Sequence, residues 1–183
     1  MEVILASQSP RRKELLHQLI DTFQIIPADI DETPCQGENP IKYVQRMAME
    51  KAEVIAQTHR KDLVIASDTT VVANNQILGK PESEEDARTV LHALSDRTHE
   101  VYTAVVLQKE SKKEVAIAQA TVTFYPLTDE EIDTYLASGE YMDKAGSYGI
   151  QGKAGKFVKT ISGDYYSIVG FPVGVVNQML KKF

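Results

Sequence analysis

The chain has 183 residues, 43% of them hydrophobic and 25% charged, with a formal net charge of −6. That is the profile of a globular protein with a core of ordinary size, and its acidic balance excludes a global field for nucleic acid, so any polyanion must be met by a local cluster of cations. No apolar run approaches the ~18 residues of a membrane span, MEVILASQSP lacks the pattern of a signal peptide, and the single cysteine, Cys35, can form no internal disulfide. The expectation is a cytoplasmic protein without membrane or nucleic-acid partners.

Residues 2–6, EVILA, are a continuous apolar run suited to a buried strand. Ser9 and Pro10 then supply the cap and first position of a helix whose apolar face is Leu15, Leu16 and Leu19. Arg11 and Arg12 fall in its first turn, at the positive end of the helix dipole. Forked guanidiniums beside open backbone N–H groups suit phosphate oxygens. The alternative is two solvated arginines, costing roughly a few tenths of a kcal/mol.

FQIIPAD, residues 23–29, predicts a second strand, and Asp31 and Glu32 follow in DIDETP. Magnesium commonly takes one or two carboxylates plus substrate phosphates, although a solvated acidic turn reads the same way. Asn39-Pro40 opens a helix with a stripe of Ile41, Val44, Ala48, Ala52 and Ile55. Lys51 lies on or beside that stripe, either snorkelling along it or aimed at a partner. Residues 62–72 predict a buried strand with Asp68 at its mouth. That is a good place for a general base or metal ligand, and equally for a carboxylate satisfied by turn N–H groups.

Asn74-Asn75 predicts a hairpin turn before QIL. Lys80, between Gly79 and Pro81, is either an aimed cation or part of a plain turn. Ser83 and Asp86 stand at capping-box spacing before a helix over 83–94. Strands near 99–109 and 114–125 flank the polar turn KESKK. Thr128 and Glu131 repeat the capping-box pattern before a helix ended by Gly139. Residues 146–155 are glycine-rich and read as a flexible loop, KFVKTI (156–161) as a short strand, and the last helix starts at Pro172. The whole predicts an α/β or α+β fold with a mixed sheet, without repeats or a linker; strand order is left open.

Several chemistries are absent from the pattern. AGSYGIQGKAGK does not fit the phosphate-cradling G-x-x-x-x-G-K-[ST] in any register, although its glycines would let Gln151 approach a flat ligand. His17, His59, His92 and His99 lack metal-ligand spacing. SQS is not a nucleophile elbow, and Cys35 has no basic neighbour in sequence.

LASQSPRR..LL, DETP, ASDTTV, GKP, SDRTHEVYTAV and GSYGIQG, in that order, resemble the Maf family of nucleoside triphosphate pyrophosphatases over essentially the whole chain. The resemblance implies a fold similar to the inosine-triphosphate pyrophosphatases, a long mixed sheet flanked by helices. Residues 1–183 would then form one bilobed domain around a cleft. It implies hydrolysis between the α and β phosphates with magnesium or manganese. Asp68 would accept a proton from water, Glu32 and Asp68 would hold metal, and Ser7, Arg11, Arg12, Lys51 and Lys80 would hold phosphates. Arg11, Thr69 and Gln151 match members preferring dTTP and UTP, an expectation that extends to modified pyrimidine nucleotides. Gln151 offers both a donor and an acceptor to an imide edge. The rivals are a 7-methyl-GTP pyrophosphatase, whose members carry a bulky aromatic at the Arg11 position, and a nucleotide-sensing regulator of septum formation. A homodimer is compatible with the family. Arg11→Trp is therefore expected to change nucleotide preference, measured as relative turnover across a substrate panel; an unchanged profile would remove Arg11 from the specificity set.

Overall fold

The computed structural model describes residues 2–183. Seven strands form one sheet: β1 (Val3–Leu5), β2 (Gln24–Ile25), β3 (Leu63–Ala73), β4 (Gln76–Leu78), β5 (Thr98–Lys109), β6 (Lys112–Phe124) and β7 (Val158–Gly163). Their order is β2-β1-β3-β5-β6-β7, with β4 pairing β3. The sheet is mixed, since β1 lies parallel to both β2 and β3, whereas β3–β4 and β6–β7 are antiparallel. Six α-helices among the described residues accompany it: α1 (Pro10–Leu16), α2 (Pro40–Ala56), α3 (Glu84–Leu94), α4 (Asp129–Ala137), α5 (Tyr165–Val169) and α6 (Val173–Leu180). No helix among the described residues is long and apolar enough to cross a membrane.

The chain resolves into two compact units. One comprises the chain up to Thr69, Thr103–Ala118 and Gly170–Phe183; the other comprises Thr70–Tyr102 and Gln119–Val169. In the first, α2 buries Val44, Met47, Ala48, Ala52 and Ile55, and the strand residues Ile4, Leu5, Val64 and Ile65 are fully buried. In the second, Leu91, Leu94, Val122, Phe124, Ile132, Tyr135 and Phe157 belong to one core cluster.

Local signals set the helix starts. Ser9 accepts from Arg12 N, Asn39 from Ile41 N and Lys42 N, and Thr128 with Glu131 closes a reciprocal capping box. At α3 the box is displaced by one residue: Ser83 caps Asp86 N, but the Asp86 carboxylate accepts from Glu82 N.

Three expectations are corrected, and one element is added. The strand over 23–29 shrinks to Gln24–Ile25, because Pro27 brings no N–H to a ladder. Asp68 does not end its strand: β3 runs on to Ala73, and it is β1 that stops, its pairing ending at Leu5↔Ile65. The strand over 156–161 begins two residues later, since Lys153–Phe157 is a 3₁₀ turn that buries Phe157. The short helix α5, capped by Asp164 Oδ1 accepting from Tyr166 N at 2.9 Å, has no counterpart among the predicted elements.

The glycine-rich segment also departs from its expectation. It contains two 3₁₀ turns, Ala145–Ser147 and Lys153–Phe157. Gly146 has φ +69, and a Cβ there would stand 2.9 Å from the Val71 methyls. Gly146 N donates to Gly79 O, Tyr135 Oη to Ser147 O, and Lys153 N to Glu140 Oε2. Tyr148 Oη meets His99 Nε2 at 2.6 Å.

His99 is buried edge-on against Phe124 and Tyr148, and burial pushes its pKa from 6.5 down to about 4. The unfolded chain binds this proton near its ordinary pKa and the folded chain resists it, so stability is lost as pH falls through that window and is unaffected above it. Urea unfolding of the native chain and of His99→Gln at pH 7 and pH 4.5 is expected to show a larger acid loss for the native chain, on the order of 3 kcal/mol at full effect. Equal losses would mean that His99 is not the acid-sensitive group.

Candidate functional site

The first unit assembles a charged cluster from four segments. β1 ends at Leu5, and the chain turns through Ser7 into α1, whose first turn carries Arg11 and Arg12. The loop before α2 carries Glu32, α2 carries Lys51, and β3 carries Asp68 and Thr69. Because β1 stops level with Ile65, β3 continues past it without that neighbour, and Asp68 lies in this extension.

Lys51 is the centre. Its Nζ is 2.7 Å from Asp68 Oδ1 and 2.7 Å from Glu32 Oε1. Lys51 and Asp68 side chains are each about one-tenth exposed, whereas that of Glu32 is 41% exposed. Lys51 therefore does not snorkel: a buried ammonium requires pairing, and here two carboxylates share it. Excess negative charge is felt nearby. The Tyr43 hydroxyl donates to Glu32 O at 2.8 Å, and its pKa is pushed up to about 12, first by burial and then by the charges of Asp68 and Glu32.

Arg12 is pinned on several sides. Its Nε donates to Gly170 O at 2.9 Å and its Nη2 to Thr69 Oγ1 at 3.3 Å, while Nη1 reaches Ser7 Oγ at 3.5 Å. Burial lowers its pKa; Asp68 acts in the opposite direction, Arg11 adds to the lowering, and Glu32 raises it. An arginine keeps its charge regardless, so the burial is offset by these contacts. Thr69 Oγ1 is further tied to Thr103 Oγ1 at 2.8 Å. Arg11, half-buried, precedes Arg12 in the same turn. Among Arg11, Arg12, Lys51, Glu32 and Asp68, cations outnumber carboxylates three to two, which suits an anionic ligand.

Ser7, Arg11, Arg12, Glu32, Lys51, Asp68 and Thr69 thus share one unit. Lys80 and Gln151 belong to the other, where both are exposed. The hydrogen bond from Gly146 N to Gly79 O joins their two loops. Sequence reasoning missed Gly170, whose φ is +114; a Cβ there would come within 3.3 Å of Thr69 Oγ1 and 3.6 Å of Arg12 Nε. Its carbonyl also accepts from Ser67 Oγ at 3.3 Å. The signal available was the Gly-Phe-Pro run before the last helix. Tyr43 carried no local signal, and Thr103 lay within the SDRTHEVYTAV motif without being singled out.

Among the described residues no group of three or more His, Cys, Asp or Glu side chains is arranged to hold a metal. Two carboxylates converging on one cation do fit a hard divalent ion whose shell is completed by ligand oxygens.

A family model described as "Maf-like protein" matches residues 2–183. A "dTTP/UTP pyrophosphatase" of Bacillus cytotoxicus is 46% identical over 180 residues, 98% of this chain and 94% of that one. A "dTTP/UTP pyrophosphatase" of Bacillus cereus is 46% identical over 182 residues, 100% of this chain and 95% of that one. The structure of the Staphylococcus aureus Ham1 protein, at 17% identity, superposes with a TM-score of 0.51 and covers 68% of this chain and 72% of that one; that likeness is one of fold.

Removing one member of a buried ion pair strands the other. Lys51→Met is expected to lower the unfolding free energy by about 3 kcal/mol. Adding Asp68→Asn should restore part of it, with a coupling above about 1 kcal/mol. Denaturant unfolding of the two single variants and the double variant measures this, and simple additivity would refute the shared-ammonium account.

Proposed function

This chain belongs to the Maf-like protein family, and we propose that it hydrolyses dTTP and UTP to the nucleoside monophosphate and pyrophosphate. The observation that carries the proposal is the Lys51 ammonium held between Asp68 and Glu32 in the same unit as Arg12. The names of relatives 46% identical across the chain support the substrate class.

The reaction is a displacement at the α phosphorus. Arg11, Arg12 and Lys51, with the Ser7 hydroxyl, bind and neutralise phosphate oxygens, which lowers the barrier to attack by water. A ligand oxygen that draws on the Lys51 ammonium weakens its hold on Asp68. The Asp68 carboxylate then orients the water and accepts its proton as the new P–O bond forms. The bond between the α phosphorus and the bridging oxygen breaks, and pyrophosphate leaves with the electron pair. Glu32 and Asp68 are the residues that would hold magnesium or manganese, which when bound supplies further neutralisation of the triphosphate. Lys80 takes the phosphate role, and Thr69 and Gln151 the selectivity roles, that the family motifs imply. The proposal includes action in the cytoplasm on free nucleotides rather than nucleic acid, and the net charge of −6 supports the second part.

Incubation with a nucleotide panel and magnesium should release pyrophosphate fastest from dTTP and UTP. Release of UDP and phosphate from UTP, or a preference for 7-methyl-GTP, would sink the assignment. Asp68→Asn is expected to lower turnover by about 10²–10⁴-fold with nucleotide affinity changed only a few-fold. Near-native turnover would place the base elsewhere.

A further inference from the structure

The loop that carries Glu32 has no regular structure. Residues 26–39 contain no helix or strand, and most side chains from Asp31 to Asn39 are exposed. A carboxylate on such a segment would ordinarily sample many positions. Here α2 grips the loop at several points. The Arg46 guanidinium forms a two-pronged bond to Glu38, Nε to Oε1 and Nη2 to Oε2, both at 2.8 Å. Its Nη2 also donates to Thr33 O at 3.2 Å, and Nη1 reaches Glu50 Oε1 at 3.3 Å. One turn earlier, the Tyr43 hydroxyl holds Glu32 O, and the Arg46 guanidinium lies 5.7 Å from the Tyr43 ring centre.

The loop answers these contacts from within. Asp31 Oδ1 accepts from Thr33 N at 2.9 Å, Glu38 Oε2 accepts from Cys35 N at 2.9 Å, and Glu38 N donates to Cys35 O. The bond to Arg46 draws the Glu38 carboxyl down to about 2, so the pair stays ionised throughout neutral pH.

We propose that Arg46, with Glu38 and Tyr43, is a positioning clamp that preorganises Glu32 for its ligand. The same helix presents the Lys51 ammonium that pairs with the Glu32 side chain, so α2 fixes both the carbonyl and the carboxylate of that residue. A planar fork suits this task where an ammonium would not: it binds both carboxylate oxygens and still reaches a carbonyl. The consequence lies in cation binding, since partners that orient a ligating carboxylate matter nearly as much as the carboxylate itself. This inference rests on the pyrophosphatase reading for its kinetic consequence and on the loop alone for its structural one.

The test uses Arg46→Met and, as a milder isosteric change, Glu38→Gln. Lys113→Met, which breaks the ion pair to Glu53 on the same helix, controls for general loss of stability. The magnesium concentration for half-maximal pyrophosphate release is expected to rise about tenfold in Arg46→Met and less in Glu38→Gln. In both, turnover at saturating magnesium should stay within about threefold of native, and Arg46→Lys should recover only part of the loss. Without nucleotide or metal, amide exchange at Thr33 and Cys35 should accelerate in both variants and not in Lys113→Met. An unchanged magnesium requirement with unchanged exchange overturns the clamp. Faster exchange with an unchanged requirement overturns its role in preorganisation. A native chain that releases no pyrophosphate refutes the enzymatic reading, and the exchange experiment then decides the clamp alone.

Discussion

A buried ammonium cannot be left alone, and Lys51 is the constraint around which the charged cluster is arranged. Taking an ion out of water costs several kcal/mol, and only good partners repay it. Lys51 has two at 2.7 Å, one buried and one substantially exposed. The division matters. Asp68 is shielded beside Lys51, whereas Glu32 faces solvent and is open to exchange partners. On the proposed reading, a polyanionic ligand with a cation meets the outer contact first. The pair to Asp68 is the inner element of the cluster, and in the proposed reaction it loosens only once ligand oxygens draw on the ammonium.

The helix that carries Lys51 does more than bury its stripe. α2 spans Pro40–Ala56 and sinks Val44, Met47, Ala48, Ala52 and Ile55 into the core. Its flank carries Tyr43, Arg46 and Lys51, which point polar atoms at the loop preceding the helix, and Glu50, which pairs with Arg46. A rigid element with a tightly packed face is a good base for a site, because its rotation about its own axis is fixed by the core. Through that helix, burial of Met47 and Ala48 sets where Lys51 and Arg46 stand. The Glu32 loop thus gains order from a helix that it covalently precedes.

Local signals were legible in the sequence and distant ones were not. Ser9-Pro10, Asn39-Pro40 and Thr128 with Glu131 act within one turn of chain, and each starts the helix expected of it. Asp68 and Lys51 could be singled out by their placement in apolar surroundings, but their pairing spans 17 residues and depends on where β1 stops relative to β3. The carbonyl of Gly170 meets Arg12 across 158 positions, and a backbone acceptor leaves no side-chain trace. The same holds for Phe157, which looked like strand because its neighbours do, yet is drawn into a 3₁₀ turn to pack against Phe124 and Tyr135.

The glycine-rich segment of the second unit shows why composition alone misleads about mobility. Glycines there read as flexibility, but Gly146 and Ser147 both adopt positive φ, at +69 and +65. At Gly146 the tight approach of Val71 leaves no room for a Cβ. A serine in that conformation costs about 1 kcal/mol or more, so other contacts must hold it. Those contacts come from Tyr135 to the Ser147 carbonyl, from His99 to the Tyr148 hydroxyl, and from Glu140 to Lys153 N. The glycines therefore mark close approach and unusual turns within a tethered segment. Gln151 rides on a loop fixed at both ends, and in the selectivity role proposed for it a side-chain amide so placed would discriminate by donor and acceptor geometry rather than by adapting to whatever it meets.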